Sequence, residues 1–175
     1  MLLDRSQLIA ALSAGSVPPA ALWAASLNGN VFSTVSREWV SATWNAGVRA
    51  LRLNAPALVT ARPVGTSGEV QLVPRYVLNG FNCRGHSIAI YAHGLTGFAC
   101  QAADSPTPLN HDALAFGFLH YTAKPNSTNL GRDGRHCILW FVDHDGVFQS
   151  YEPGDGEENE LTAEELASIT FVYAQ

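Results

Sequence analysis

Apolar positions at helical spacing open the chain. Leu8, Ile9 and Leu12 share one face of residues 4–15, with Asp4 placed to cap the helix and Gly15 to end it. Pro18-Pro19 predicts a second helical piece reaching Leu27, because proline suits a first turn. Asn28-Gly29-Asn30 breaks the chain, and Ser36 is the expected N-cap of a longer helix to about Leu51. Trp39, Val40, Thr43, Trp44, Val48 and Leu51 fall on one side of it, which reads as core packing for both tryptophans.

From residue 57 the period shortens to that of strands. Residues 57–64 and 69–73 flank Gly65-Thr66-Ser67-Gly68 and predict a hairpin. Residues 75–81 lead to Asn82-Cys83, where Asn82 can cap a helix whose stripe is Ser87, Ile88, Tyr91 and Ala92 and whose stop is Gly94. Residues 95–110 then read as loop, 113–123 as strand, and 124–135 as a long polar connection. The run from His136 through Val142 has no polar break after its first residue, as expected of a strand buried on both faces. Asp143-His144-Asp145-Gly146 turns it back into a partner strand, 147–151, which Glu152-Pro153 ends. An acidic loop (154–160) follows, then a capping box from Thr162 to Glu165, then a closing strand over 169–174. The expected class is α+β: a single domain, 1–175, with a helical part (1–56) packed on a sheet part (57–175) that is mainly antiparallel and carries the Cys83 helix.

Composition narrows the function. With 175 residues, 47% hydrophobic and 14% charged, the chain can bury a real core. A net charge of −5 argues against a nucleic-acid coat, which needs a basic stripe. No apolar run is long enough to span a membrane, and the first residues lack the pattern of a signal peptide. Three cysteines, Cys83, Cys100 and Cys137, cannot close a disulfide framework, so free thiols and a cytoplasmic setting are expected.

The candidate chemistry starts at Cys83. A cysteine in the first turn of a helix feels the positive end of the helix dipole, which favours the nucleophilic thiolate. The plain alternative is a buried structural cysteine. A thiolate needs a base and the base an orienting group. His136 stands at the head of the buried strand, and Glu152 near the end of its partner at about the same height. If residue 142 pairs with 147, however, Glu152 points to the face opposite His136. An odd-length loop or a bulge would restore a common face. Asp143 and Asp145 are fallback carboxylates at the far end of the strand. Asn79, Asn82 and Gln71 are the candidate side-chain donors to an oxyanion, beside the N–H of Cys83.

These residues carry a resemblance. Tyr76-Val77, Phe81-Asn82-Cys83-Arg84-Gly85-His86-Ser87, Arg135-His136-Cys137 with the apolar run to Asp143, and Tyr151-Glu152-Pro153 resemble the papain-like domain at the C-terminus of the Marasmius oreades agglutinin. They are similar also to small phage-encoded proteins with the same signatures. The resemblance covers residues 76–175 and leaves the first 75 outside any motif. It implies a papain-like fold and a cysteine protease whose triad would be Cys83, His136 and Glu152, acting on a peptide or protein substrate. It implies calcium as well. Arg84-Gly85 stand where the family has Asp-Asp, Arg135 where it has Gly, and Cys137 where it has Ala. Those departures bear on calcium and on substrate preference and leave the triad intact.

Three other readings remain open, one of them a cell-wall amidase or transglutaminase-like enzyme, which shares the Cys–His pair. A structural metal is disfavoured: there is no Cys-x-x-Cys pair, His86 and His93 lie too far apart along a helix, and the acidic loop lacks an EF-hand pattern. Neither a cofactor nor a metal is therefore expected from the residues themselves. The second functional class is an inactive papain-like scaffold that binds or inhibits a host protein, with the N-terminal helices as the grip.

Overall fold

The computed structural model describes residues 1–66, 68–77, 81–124 and 134–175. In chain order the elements are β1 (Leu2–Asp4), α1 (Arg5–Ala14), α2 (Pro19–Trp23), β2 (Ser26–Leu27), β3 (Val31–Ser33), α3 (Arg37–Asn54) and a 3-10 turn (Pro56–Leu58). There follow β4 (Val59–Val64), β5 (Glu69–Pro74), α4 (Cys83–Asp104), β6 (Ala113–Leu114), β7 (Phe116–Thr122) and β8 (Arg135–Val142). The chain ends with β9 (Phe148–Glu152), β10 (Glu157–Glu158), α5 (Ala163–Ala167) and β11 (Phe171–Ala174).

The apolar run of β8 becomes the middle of the molecule. Seven of its 8 residues are buried. It lies in a six-stranded sheet ordered β10-β9-β8-β7-β11-β2, antiparallel except where β2 joins β11 in parallel. Side chains alternate across a strand, so β8 feeds two cores. Ile138, Trp140 and Val142 pack with Leu8 and Leu12 of α1 and with Val172 of β11. Cys137, Leu139 and Phe141 pack with Val40, Trp44 and Val48 of α3 and with Ile90 and Tyr91 of α4. The fold is thus α+β, with helices covering both faces of a mainly antiparallel sheet.

The helix signals act as their chemistry requires. Asp4 and Gln7 form a capping box on α1, Ser36 Oγ accepts from Trp39 N on α3, and Thr162 and Glu165 close the box on α5. The N-terminal part is less helical than the sequence suggests. The helix expected from Pro18 to Leu27 ends at Trp23, and Ser26–Leu27 becomes an edge strand because Leu27 is buried and pairs with Ala174. Leu2–Asp4 and Val31–Ser33 pair with each other, and β6 joins them in a small second sheet. The 57–64 and 69–73 hairpin forms as β4 and β5, paired from Val59↔Pro74 to Val64↔Glu69.

The largest difference lies in α4. Gly94, read as a stop, sits inside a helix of 22 residues, and residues 95–104, read as loop, are its final turns. The glycine serves packing: a Cβ there would meet Phe116, Thr43 and Trp39 at 3.1–3.3 Å. The buried stripe of the helix is His86, Ser87, Ile90, Tyr91 and Gly94, while Ile88 faces outward at 40% exposure. Most of the expected 124–135 connection lies outside the described residues.

Candidate active site

Cys83 is the first residue of α4. Asn82 caps the helix, its Oδ1 accepting from Arg84 N at 3.1 Å and Gly85 N at 3.3 Å. The cap thus takes the second and third N–H groups of the helix and not that of Cys83. A buried hydrogen bond fixes this end of α4 to the sheet: Ser87 Oγ donates to the carbonyl oxygen of Cys137 at 3.1 Å. Cys137 follows His136, so the bond joins the helix that carries the thiol, one turn past Cys83, to the strand that carries the imidazole.

The face of Glu152 is decided by the β8–β9 hairpin. Val142 pairs with Phe148 and Leu139 with Tyr151. Val147 therefore belongs to the loop, one residue more than the Asp-His-Asp-Gly turn suggests. Asp143 builds that loop: its Oδ1 accepts from Asp145 N and Val147 N, and its Oδ2 from the Gln149 amide. Gly146 supplies the positive φ of 78° that the turn needs. In this register, residues of equal parity on β8 and β9 share a face, so Glu152 projects to the side of His136. The odd-length loop that the site requires is present. Asp143 and Asp145 stay at the far end, engaged in the turn.

His136 Nε2 and Glu152 Oε2 lie 2.7 Å apart, with the two residues 8% and 6% exposed. The second carboxylate oxygen, Oε1, accepts from Gly154 N at 3.0 Å. Behind the turn, Trp44 Nε1 donates to the carbonyl oxygen of Pro153 at 3.0 Å, and Tyr151 donates its hydroxyl to the carbonyl of Gly156. Tyr121 meets the His136 ring edge-on, centroids 5.5 Å apart. With Nε2 directed at the carboxylate, Nδ1 is the ring nitrogen that Glu152 does not engage. Nδ1 is buried without a hydrogen-bond partner among the described residues. Burial alone would lower the His136 pKa, but the Cys83 side chain and then the hydrogen bond and charge of Glu152 override it and raise it to about 10.

These groups line a cleft of about 750 Å³, with Tyr76, Asn82, Arg84, His120 and Thr170 among its walls. Gln71, a candidate oxyanion donor, is not among the lining residues; its amide donates to the carbonyl oxygen of Asp155 and its Oε1 accepts from Arg62. Asn79 lies outside the described residues. Asn82 lines the cleft, with its carbonyl oxygen committed to the cap. Sequence reasoning missed His86, His120 and Tyr121 as walls, and Ser87 and Trp44 as supports. Ser87 and Trp44 were legible only as apolar-face residues of their helices. His86, 3% exposed, has Nε2 on the carbonyl of Arg75 at 3.3 Å, and burial holds its pKa below the ordinary value.

Among the described residues no group of three or more His, Cys, Asp or Glu is placed to hold a metal ion. The acidic loop directs its carboxylates elsewhere: Asp155 and Glu157 to Arg62, Glu158 to Arg37. All three cysteines are free, Cys100 exposed and Cys137 buried. No helix among the described residues is long and apolar enough to cross a membrane.

No protein-family model matches the chain, and no curated protein sequence does. Among solved structures it is similar to a chain described as the "PSL1a-E64 complex", with a TM-score of 0.58 at 13% identity. The likeness covers 99% of this chain and 50% of that one, so this chain spans half the neighbour's length. At that identity the similarity is one of fold.

Proposed function

We propose that the 175 residues form a papain-like cysteine hydrolase, a peptidase in the first instance, with Cys83 as nucleophile, His136 as base and Glu152 as the group that orients His136. The observation that carries the reading is the buried 2.7 Å contact between His136 Nε2 and Glu152 Oε2 in the cleft that holds the capped Cys83. A carboxylate on Nε2 fixes the ring and leaves Nδ1 for the thiol. The fold neighbour is, by its description, an E64 complex. E64 is an epoxide that alkylates thiolates in cysteine proteases, so the neighbour supports the same class of chemistry.

In the proposed reaction His136 takes the proton of Cys83. The thiolate attacks the peptide carbonyl; a C–S bond forms and the carbonyl electron pair moves to oxygen. The oxyanion accepts from the N–H of Cys83, which the Asn82 cap leaves unused. As the oxyanion collapses, the C–N bond breaks and His136 gives its proton to the departing amine. Water, deprotonated by His136, then attacks the thioester; the C–S bond breaks, the acid leaves, and Cys83 regains its proton. No cofactor enters these steps.

The test is covalent labelling. The native protein is treated with E64, digested and mapped by mass spectrometry, beside His136→Ala and Cys83→Ser. Single labelling at Cys83, lost in both variants, together with turnover of a denatured protein substrate, is the expected result. Alkylation of Cys83 that is no faster than that of exposed Cys100, and unchanged in His136→Ala, overturns the reading.

One observation favours the second reading, a scaffold that grips a host protein. Trp23 is 90% exposed at the end of α2, while Trp44 is buried and Trp39 packs on Phe116. That reading requires the labelling to fail and Trp23→Ala to abolish capture of the partner.

A further inference from the structure

Arg84 puts a positive charge on the cleft wall beside Cys83 in a chain that is acidic as a whole. The sequence holds 15 Asp and Glu against 10 Lys and Arg. Among the described lining residues the one carboxylate is Glu152, and both its oxygens are engaged, by His136 and by Gly154 N. Arg84 follows the nucleophile in sequence, lines the cleft, is exposed, and has no carboxylate partner among the described residues. Its charge reaches across the cleft to His120, another lining residue. The His120 Nε2 is buried and without a hydrogen-bond partner. Burial first, and the charge of Arg84 second, push the His120 pKa below its ordinary value, and the ring adds a polar group to the wall.

We infer that Arg84 selects substrates with an acidic side chain, Asp or Glu, next to the bond that Cys83 attacks. The inference rests on the proposed hydrolase reading and deepens it by naming the substrate class. A guanidinium adjoining a helix N-terminus matches a carboxylate in geometry as well as charge.

Two measurements test this, and their failures are distinguishable. The first compares iodoacetate with iodoacetamide as alkylating agents of Cys83 in the full chain. These reagents differ in charge, and their rate ratio reports the local potential whether or not the protein is a peptidase. A ratio that falls roughly three- to tenfold in Arg84→Gln is expected for loss of a unit charge at close range in a partly solvated cleft. The second maps cleavage sites in a peptide library. Bonds flanked by Asp or Glu should dominate, Arg84→Gln should lower kcat/KM for those peptides about tenfold while leaving neutral ones within about twofold, and Arg84→Glu should turn the preference toward Lys and Arg. An unchanged alkylation ratio together with no acidic bias overturns the inference while E64 labelling still upholds the hydrolase. Failure of E64 labelling overturns the hydrolase, and the ratio then decides whether the cleft is an anion site at all. The exposed position of Arg84 makes all variants expected to fold, and thermal unfolding midpoints within a few degrees of the parent check that.

Discussion

The indole N–H of Trp44 donates to the carbonyl oxygen of Pro153, tying the middle of α3 to the turn that follows Glu152. The same ring lies over Gly156, where a Cβ would come within 2.7 Å of it. Trp44 therefore fills the core between α3 and the sheet and is bonded to the turn that follows Glu152. Trp44→Phe keeps most of the apolar volume and leaves the Pro153 carbonyl without its donor. The expected cost is about 1–3 kcal/mol of stability, read by urea unfolding, with a slower E64 reaction at Cys83 as the Glu152 turn loosens. A stability loss with unchanged labelling would assign Trp44 to packing alone.

How much of this could be read from the chain varies by element. The central strand was legible because its apolar run is continuous, and both of its faces are indeed covered. The caps at Asp4, Ser36, Asn82 and Thr162 were legible because capping is local chemistry. The shared face of His136 and Glu152 was not, because it depends on one residue of loop length. That residue, Val147, is placed by the side chain of Asp143, which a turn pattern does not reveal. The edge strand at Ser26–Leu27 was hidden for a different reason: its partner, β11, lies at the other end of the chain.

Gly94 shows tertiary packing overriding a local signal, and it can be tested against its neighbour in the same helix. A Cβ at Gly94 meets Phe116, Thr43 and Trp39, whereas one at Gly97 meets nothing within 4 Å. Gly97→Ala should raise stability by about 0.5–1 kcal/mol through helix propensity alone. Gly94→Val should lower it by about 1–3 kcal/mol, because the added methyls force α4 away from α3 and β7. Thermal unfolding of the two variants, side by side, decides it; equal shifts would mean that the helix, and not the packing, sets the requirement at residue 94.

Asn82 offers a clean separation of two roles. Its Oδ1 caps α4, and it was also a candidate oxyanion donor through its amide. Asn82→Ala should cost about 1 kcal/mol, within the usual range for a lost cap. Asn82→Ser should restore most of that stability, since serine caps equally well. If Asn82 acts on the site only by ordering the first turn, Asn82→Ser also restores kcat. A kcat that stays low in Asn82→Ser, with stability and Cys83 alkylation recovered, would instead make the amide an oxyanion donor.

The His136–Glu152 pair fixes the sign of a pH dependence. The His136 pKa rises from 6.5 to about 10 in the fold; burial opposes the rise, and the Cys83 side chain together with the hydrogen bond and charge of Glu152 produce it. A group raised on folding contributes stability that is complete below its unfolded value and is lost as pH climbs through its folded value. The protein should therefore lose stability between about pH 6.5 and 10 from this group, and Cys83 should keep its imidazolium partner until the upper end of that window. Glu152→Gln preserves the shape and a hydrogen-bonding oxygen while removing the charge. Its unfolding midpoint should lose the alkaline slope at lower pH than the parent does, and the alkaline limb of kcat/KM should move down in parallel. The two readouts share one titration, so they must shift together. An alkaline limb that stays in place while the stability profile moves would assign that limb to a group other than His136.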